Sequence, residues 1–516
     1  MEAGKTQIFL GYLLFGLVSS GESQTPTSIR KAGEPMSDAK LESILRFVLP
    51  TAYLDRQSNS LPREMNNADS VYFGPVGTWS QQGVSCGNAQ AVSVAFNFEA
   101  NRARKFTTPE DALEPMYPYE YTYHFLNNGD MSNGGDGWMF VEAFDILKET
   151  GAPTSGDFGG FEWGNSFNGW MSGYEKYYRA MHIRLSNYYQ IDAQLPSSKE
   201  AIKQILVDHA NGSQLGANLV FLAPRSQKIR KEWIDGRLCF TQFDSIGEHA
   251  VTIVGYDDDF LPERGGSWIV HNSFGDGLYY MPRDLLGSGS ILTSPKGIPV
   301  MFPRIIENYA PKLTLKITLT HNQRGNIAIM TGFANSASAT RPDMTKDYAG
   351  AFNFSGGLNP MVGKNQASTI EIGLDLTDFA PRLTGSDVRF FLAVVSKGGT
   401  GTIDKVTLMD YTGWQVKETP AGEAHKPIAQ NATTWISIPW SAPTSTGIRA
   451  RSEPFQPGVV WSKGGGIRIK LTESAATRAT LQLRDLKGRP VYGSVIGLAG
   501  QAANYADFTW DGTGSR

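Results

Sequence analysis

The sequence predicts an α+β domain followed by two all-β domains. Helical patterns precede strand-like runs between residues 61 and 303, regularly spaced strand-like runs fill residues 304–440, and a Pro/Ser-rich stretch opens a last β-rich piece at 441–516. Helices followed by strands are typical of an α+β domain. Short strands divided by Gly, Asn, Asp and Pro turns are typical of β-sandwiches.

Length and composition fit a multidomain protein. The chain has 516 residues, and domains of roughly 100–200 residues predict about three of them. With 47 basic and 50 acidic residues, the charge is nearly balanced, which argues against a nucleic-acid partner or an anionic membrane surface. Two cysteines allow one disulfide or two free thiols.

The N-terminus predicts export. Residues 1–23 combine Lys5, an apolar run at 8–18 and small residues after it, which is the pattern of a signal peptide. The alternative is a membrane anchor, but the run is too short for a bilayer core of ~30 Å. We expect a secreted protein, extracellular or at the cell surface and not transmembrane. Residues 24–60 then form a leader or short pro-segment with one helical pattern at 39–48.

The periodicity of apolar residues predicts the elements of the two larger domains. Between 61 and 303, helices are expected at 89–104, 136–150 and 198–210, and strands at 217–222, 249–256 and 267–271. Between 304 and 440, strands are expected in the runs KLTLKITLTHN, GNIAIMTGFA, STIEIGLDL, DVRFFLAVVSK and KVTLMDYTGW.

Three segments, in this order, carry the candidate chemistry: QQGVSCGNAQAVSVAFNFE (81–99), GEHAVTIVGYDDD (247–259) and GGSWIVHNSFGDGLYY (265–280). Together with SNGGDGW at 132–138, they resemble the papain-like cysteine peptidases over about 61–303. The resemblance implies a two-lobed domain with a helical lobe and a β-barrel-like lobe, a polypeptide substrate, no cofactor and no metal.

The same resemblance implies roles for individual residues. His249 would be the general base, Asn272 its orienter, Gln82 an oxyanion donor, and Gly134 and Gly135 backbone partners of a substrate chain. This chemistry suits these residue types, since a thiol at a helix N-terminus ionises readily beside an imidazole. An Asn then fixes the imidazole, and amide donors stabilise the oxyanion.

The nucleophile position has two alternatives. The family pattern Cys-Gly-Ser-Cys-Trp-Ala aligns with the run from Cys86 to Ala91 and puts Ala89 at the catalytic position. Apolar spacing then predicts a helix that starts near Ala89 with Asn88 as its N-cap. In the other alignment Cys86 is the nucleophile, which puts Gly87 and Asn88 in the first helical turn and shortens the spacing from Gln82.

Three hypotheses of function follow. The first is a cysteine peptidase, which the Ala89 alignment makes inactive as written, either as a natural pseudoenzyme or as a Cys→Ala form. The second is a binding module that holds a peptide in the same groove. In the third, the β domains attach the protein to a surface or a glycan.

The last unit resembles the Ig-like domain at the C-termini of secreted bacterial proteins and in the flagellar hook-cap protein. The matching residues are Leu483, Asp485, Leu486, Gly488, Val491, Trp510, Asp511 and Gly512. That pattern normally continues with another strand, so we expect a small, truncated β-sandwich. A bacterial origin and contact with a cell surface or the secretion machinery follow from the resemblance.

The remaining candidates favour structural roles. We expect His271 on the outward face of a strand, and Asp257–Asp259 in a solvated turn rather than a calcium site. Cys239 is either a buried apolar residue or a partner of Cys86. The aromatic run at 117–125 is expected to pack around a loop, with a carbohydrate platform as the alternative. The sequence has no zinc-type Cys/His spacing and no phosphate-binding Gly loop.

Overall fold

The computed structural model describes most of the chain between residues 38 and 441 and five strands beyond it. The described residues are 38–47, 61–73, 85–104, 117–127, 140–159, 168–193, 195, 197–208, 217–223, 229–243, 249–273, 277–286, 299–306, 309–384, 387–413, 415–441, and the backbone of 458–462, 466–470, 478–484, 490–497 and 505–509. The expected signal peptide and most of the leader lie outside these ranges.

The α-helices of the described chain all lie in its first part. They are α1 (Asp38–Ser43), α2 (the consecutive segments Cys86–Asn88, Ala89–Phe96 and Asn97–Ala103), α3 (Tyr119–Leu126), α4 (Phe140–Thr150), α5 (Ser155–Phe158), α6 (Tyr174–Met181) and α7 (Ser198–Asp208). The middle segment of α2 is π-helical, and the N–H of Asn97 bonds the carbonyl of Val92. Among the residues described, no helix combines the length and apolar character needed to cross a membrane.

A ten-stranded sheet accompanies these helices. Its strands are β1 (Leu45–Arg46), β2 (Glu64–Asn66), β3 (Leu185–Asp192), β4 (Leu219–Ala223), β5 (Ile229–Ile234), β6 (Arg237–Phe243), β7 (His249–Asp257), β8 (Ser267–Asn272), β9 (Gly277–Pro282) and β10 (Pro299–Ile305). The order is β1-β3-β10-β4-β7-β8-β9-β6-β5, with β2 paired to β7. The predicted strands at 217–222, 249–256 and 267–271 agree with β4, β7 and β8.

The centre of this sheet is covered on both faces. Every residue of β7 and β8 is buried, and α2 packs on the two strands through an apolar cluster. The cluster comprises Ala68, Phe73, Val94, Phe98, Val254 and Ile269. Strands buried on both faces read as continuous apolar runs, which is why HAVTIVGY and SWIVH stand out in the sequence.

Residues 38–47, which belong to the expected leader, add a strand at one edge of this sheet. Leu45 and Arg46 pair in parallel with Tyr189 and Gln190 of β3. The Gln190 side chain donates to the carbonyls of Leu41 (2.8 Å) and Ile44 (2.9 Å). Three strands, β3, β10 and β4, separate this segment from β7.

The chain from 313 to 441 is built of strands in two sheets. They are β11 (Leu313–His321), β12 (Ile327–Ala334), β13 (Met344–Asp347), β14 (Thr369–Asp375), β15 (Asp387–Ser396), β16 (Gly401–Asp410), β17 (Lys417–Pro420), β18 (Lys426–Pro427) and β19 (Ala432–Ser441). One sheet has the order β14-β11-β16-β17 with β18 on β16, and the other β13-β12-β15-β19. Mixed α/β content followed by β sheets is compatible with the predicted fold class.

Buried polar contacts join the helical part to these sheets. Arg184, just before β3, contacts Asp375 of β14 (2.6 Å), and both side chains are buried. Arg324 donates to the carbonyl of Gly356 (2.9 Å) and lies over the Trp170 ring at 4.4 Å. Its pKa falls to about 9 because burial disfavours the cation.

The chain divides into two compact units, Met1–Met409 with Glu418–Ser441, and Asp410–Lys417 with Ala442–Arg516. The boundary expected at 303/304 falls inside the first unit, and the domain limits stay predictions. The second unit contains a three-stranded sheet in the order β20-β21-β24 and a hairpin of β22 and β23. These strands are β20 (Gly458–Ser462), β21 (Gly466–Lys470), β22 (Arg478–Arg484), β23 (Pro490–Gly497) and β24 (Tyr505–Thr509).

Candidate active site

Helix α2 begins at Cys86. The Oγ of Ser85 accepts from the N–H of Asn88 at 3.3 Å, so Ser85 is the N-cap. The predicted start near Ala89, with Asn88 as the cap, is therefore wrong by three residues. Gly87 and Asn88 are tolerated here because the N–H groups of a first turn have no intrahelical acceptor and a Ser cap satisfies one of them.

The sulfur of Cys86 lies next to the start of β7. The N–H of Ala250 points to the Cys86 Sγ, and the N···S distance is 3.4 Å. Ala250 directly follows His249, so the sulfur lies beside the backbone that carries the imidazole. An N–H donor and a helix N-terminus both favour a thiolate over a thiol.

His249 and Asn272 form a buried pair. His249 is the first residue of β7 and Asn272 the last of β8, and each is 2% exposed. The His249 Nε2 and the Asn272 Oδ1 are 2.8 Å apart. Because the amide oxygen can only accept, Nε2 carries the proton, and a neutral ring then has its lone pair on Nδ1.

The pairing of β7 with β8 brings these two residues together. Thr252 faces His271 across the antiparallel ladder, so the beginning of β7 runs beside the end of β8. His249 and Asn272 are 23 residues apart in the chain. The antiparallel pairing of β7 with β8 therefore brings the side chains of His249 and Asn272 into contact.

Ala89 occupies the fourth position of α2. Its N–H donates to the carbonyl of Ser85 at 3.1 Å, closing the first turn, and the residue is 5% exposed. Its methyl group has no hydrogen-bonding or nucleophilic chemistry. Gln82, Gly134 and Gly135 lie outside the described residues.

A second row of polar side chains lies behind Cys86. Gln90 is fully buried, and its Oε1 accepts from the Thr252 hydroxyl at 2.6 Å. Its Nε2 lies 3.4 Å from the Nδ1 of His271. Since the amide nitrogen is a donor, this Nδ1 is the acceptor and the His271 ring is neutral.

His271 does not face outward as predicted. It is 1% exposed, and its ring lies 5.8 Å from the ring of Phe73. Burial lowers its pKa from 6.5 to about 4. The prediction failed because every residue of β8 is buried, so alternation along the strand marks no outer face. A polar Gln90 within the apolar pattern of α2 was the signal that could have indicated a buried partner.

The aromatic run at 117–125 lies in a helix instead of around a loop. All eight residues of α3 are buried. Thr122 donates to the Oδ1 of Asn88 at 2.7 Å, which ties α3 to the first turn of α2. Burial raises the pKa of Glu120 to about 7. The residues pack as predicted, but against helix α2.

Both cysteines are buried, and neither is part of a disulfide. The expected alternative of a Cys86–Cys239 pair is therefore wrong, and the Cys239 thiol donates to the carbonyl of Arg237 at 3.5 Å.

The acidic run that starts at the last residue of β7 forms ion pairs. Asp257 contacts Arg237 (2.6 Å), Asp258 contacts Lys203 (2.8 Å) and Arg283 (2.5 Å), and Asp259 contacts Arg63. Asp257 is 4% exposed, so this end of the expected solvated turn is buried. Within the described ranges, no group of three or more His, Cys, Asp or Glu side chains could hold a metal ion.

Comparison with known proteins gives distant structural neighbours. No family model matches the chain. No curated protein matches its sequence. The solved structure of the digestive procathepsin L2 proteinase from Tenebrio molitor larval midgut is 14% identical and has a TM-score of 0.36, with 53% of this chain and 78% of that chain covered.

SERA5E from Plasmodium falciparum is a second neighbour. It is 14% identical with a TM-score of 0.32, and the match covers 47% of this chain and 96% of that chain. The SERA5 proenzyme from the same organism is also 14% identical, with a TM-score of 0.28 over 44% of this chain and 61% of that chain.

Proposed function

We propose that this protein is a papain-like cysteine peptidase in which Cys86 is the nucleophile, His249 the general base and Asn272 its orienter. The observation that carries the proposal is the 3.4 Å contact between the Cys86 Sγ and the N–H of Ala250. It puts a thiol at the first position of a helix and next to the residue that carries the imidazole. The 2.8 Å hydrogen bond from His249 to Asn272 adds the residue that orients the imidazole.

We prefer Cys86 to Ala89 for two reasons. Cys86 is the first residue of α2, where N–H groups and the helix dipole favour an anion, whereas Ala89 closes the turn. Ala89 also has no atom that can attack a carbonyl. With Cys86 as the nucleophile, the chain has the thiol that the reaction requires.

The proposed reaction has two steps. The thiol proton of Cys86 passes to the Nδ1 of His249, and the thiolate adds to the scissile carbonyl to form a C–S bond. The imidazolium then returns a proton to the departing amine as the C–N bond breaks. Water, with His249 as base, hydrolyses the thioester and restores the thiol.

We also propose that hydrogen-bond donors stabilise the oxyanion that forms when the thiolate adds to the carbonyl. The family resemblance gives this role to Gln82 together with the N–H of Cys86. One such donor is typically worth about 3–4 kcal/mol in the transition state. Gln82 is therefore a residue whose removal should lower kcat much more than substrate affinity.

Alkylation and a matched pair of alanine variants test the proposal. Iodoacetamide should label Cys86 and stop hydrolysis of an unfolded protein substrate. The Cys86→Ala variant should lose hydrolysis, whereas Cys239→Ala, which removes the other thiol, should retain it. Hydrolysis that survives in Cys86→Ala would overturn the proposal.

A second result would point to the binding module instead. If the wild-type protein cleaves no peptide library and its Cys86 thiol titrates near the ordinary ~8.5, the site has no activated nucleophile. Retained binding of an unfolded polypeptide would then assign the groove to recognition.

We also propose that residues 1–23 direct export. The supporting observation is the charged start, apolar run and small residues of this segment. Expression with the native N-terminus and mass determination of the protein outside the cell test it. A product that keeps residues 1–23 and stays inside the cell contradicts it.

A further inference from the structure

A groove of about 480 Å³ lies on one face of the sheet that contains β15 and β19. It is lined by residues of both strands, of the chain around 340 and of the chain from 423 to 429. Phe391 on β15 pairs with Ser437 on β19, and both line the groove. The volume is in the range of small-molecule sites, which is ~300–1,000 Å³.

The groove has an excess of positive charge. Its charged lining residues are Arg341, Arg389, Lys426 and Glu423. Lys426 and Glu423 neutralise each other at 2.7 Å. Two guanidinium groups are left, which makes the lining cationic.

Neither guanidinium has an acidic partner among the described residues. Arg389 donates from Nη1 to the Ser437 hydroxyl at 3.3 Å, and Arg341 donates from Nη1 to the carbonyl of Thr340 at 3.3 Å. The Nε of Arg389 is buried and has no hydrogen-bond partner in the described structure. A buried donor without a partner costs free energy, and the Ser437 hydroxyl is the hydrogen-bond partner that the described residues give to the Arg389 guanidinium.

Aromatic rings complete the groove. Phe391 and Trp435 meet edge to face with ring centroids 6.2 Å apart. Arg341 lies over the Trp435 ring at 5.3 Å. Stacking on an indole restricts the arginine side chain, so less conformational entropy is lost when its fork meets an anion.

The backbone of β15 in the groove floor is paired on both sides. Residues Asp387–Ser396 of β15 pair with β19, and the same strand pairs with Ile327–Ala334 of β12 on its other side. A peptide that binds as an added strand needs a free sheet edge, so it would pair with the outer edge of β19, the last strand of this sheet, and would not lie on the face of β15. The face of a paired sheet instead offers side chains, here guanidinium groups, rings and the hydroxyls of Thr433 and Ser437.

We propose that this groove binds a saccharide that carries a carboxylate, with Arg389 and Arg341 holding the carboxylate and the Phe391–Trp435 pair contacting the sugar ring. A guanidinium fork matches a carboxylate with two parallel hydrogen bonds. A sugar ring has an apolar face for the aromatic side chains and hydroxyls for Thr433 and Ser437. The proposal is independent of Cys86 and of peptidase activity.

Calorimetric titration of the full-length protein tests the proposal with two matched ligands. The probe is a trisaccharide of galacturonic acid, and its methyl ester, which has the same rings without charge, is the control ligand. We expect the acid to bind at least tenfold more tightly than the ester. The Arg389→Gln variant should weaken binding of the acid at least tenfold.

Two further variants separate the groove from general charge. Arg341→Gln should also weaken binding of the acid, whereas Lys405→Gln, an exposed cation on β16, should change it less than twofold. Arg389→Lys keeps the charge but loses the fork, so binding should stay weakened. Circular dichroism of each variant identifies loss of folding.

Three outcomes would overturn the proposal. Equal affinity for the acid and the ester excludes recognition of the carboxylate. Lack of binding of both ligands to the folded wild-type protein excludes the saccharide. Tighter binding of a glutamate oligopeptide than of the trisaccharide assigns the groove to acidic peptides.

Discussion

The hydroxyl of Thr252 donates a hydrogen bond of 2.6 Å to the Oε1 of Gln90, and both side chains are fully buried. The bond ties the helix that begins at Cys86 to the strand that begins at His249. The other end of the Gln90 amide reaches His271, which precedes Asn272. One amide thus connects the elements that carry the three proposed catalytic residues.

Thr252→Val should destabilise the protein. Valine keeps the shape of threonine but leaves the Gln90 oxygen buried without a donor, which costs about 1–3 kcal/mol. Urea unfolding would measure the free energy of unfolding. Thr345→Val, at an exposed position of β13, is the matched control and should change it by less than about 0.5 kcal/mol. Equal effects of the two variants would show that the buried bond contributes nothing.

Asn272→Ala should lower kcat strongly and leave the fold intact. The His249 ring loses the acceptor that fixes its Nε2 proton, 2.8 Å away. General acid–base catalysis contributes roughly 10²–10⁴-fold, so we expect a loss of at least about 10²-fold in kcat. Steady-state kinetics on a peptide substrate would measure it, with KM nearly unchanged. A variant with full kcat would exclude Asn272 as the orienter.

Stability should decrease as the pH falls from about 6.5 to 4, partly because of His271. Burial lowers its pKa from 6.5 to about 4, so the unfolded state binds the proton first. The favourable contribution is fully present above about 6.5 and is lost as the pH falls toward 4. Unfolding free energies at a series of pH values would show this slope.

Two variants isolate the contribution of His271. His271→Gln keeps an acceptor for Gln90 but cannot titrate. The free energy of unfolding of this variant should therefore change less steeply with pH than that of the wild type. Burial also lowers the pKa of His124 to about 4, and that part of the slope should remain. His425→Gln, at an exposed position, should keep the full slope. A His271→Gln slope equal to that of the wild type contradicts the assignment.

Arg184→Met should be among the most damaging single substitutions. It removes the cation beside the Asp375 carboxylate, whose side chain has no exposed surface. An uncompensated buried charge costs about 3–5 kcal/mol. Arg63→Met, which breaks an exposed pair with Asp259, should cost less than about 1 kcal/mol. Similar melting temperatures for the two variants would refute a structural role of the buried pair.

Patterns in single segments predicted most elements but not where α2 begins. The apolar spacing of VAF and its neighbours fixes the helical face, and the buried strands read as apolar runs. The helix start depends instead on the Ser85 side chain, which caps only once the chain before it has turned. The spacing of apolar residues alone therefore predicted that helix α2 starts at Ala89, whereas it starts at Cys86.

Contacts between distant segments could not be predicted from the sequence. Gln90 and His271 are 181 residues apart, and Arg184 and Asp375 are 191 apart. No local period relates such pairs, because their proximity depends on sheet order and on how the sheets pack. The family resemblance did relate His249 to Asn272, which the structure brings within 2.8 Å.

The position of residues 38–47 bears on how the protein tolerates proteolysis. This segment occupies the outer side of β3, with the Phe47 N–H bonded to the carbonyl of Gln190 at 2.8 Å and Ile44 buried. A cut that released it would leave β3 with an unpaired edge, which invites pairing with other chains. Trimming here would therefore shorten the lifetime of the protein in solution.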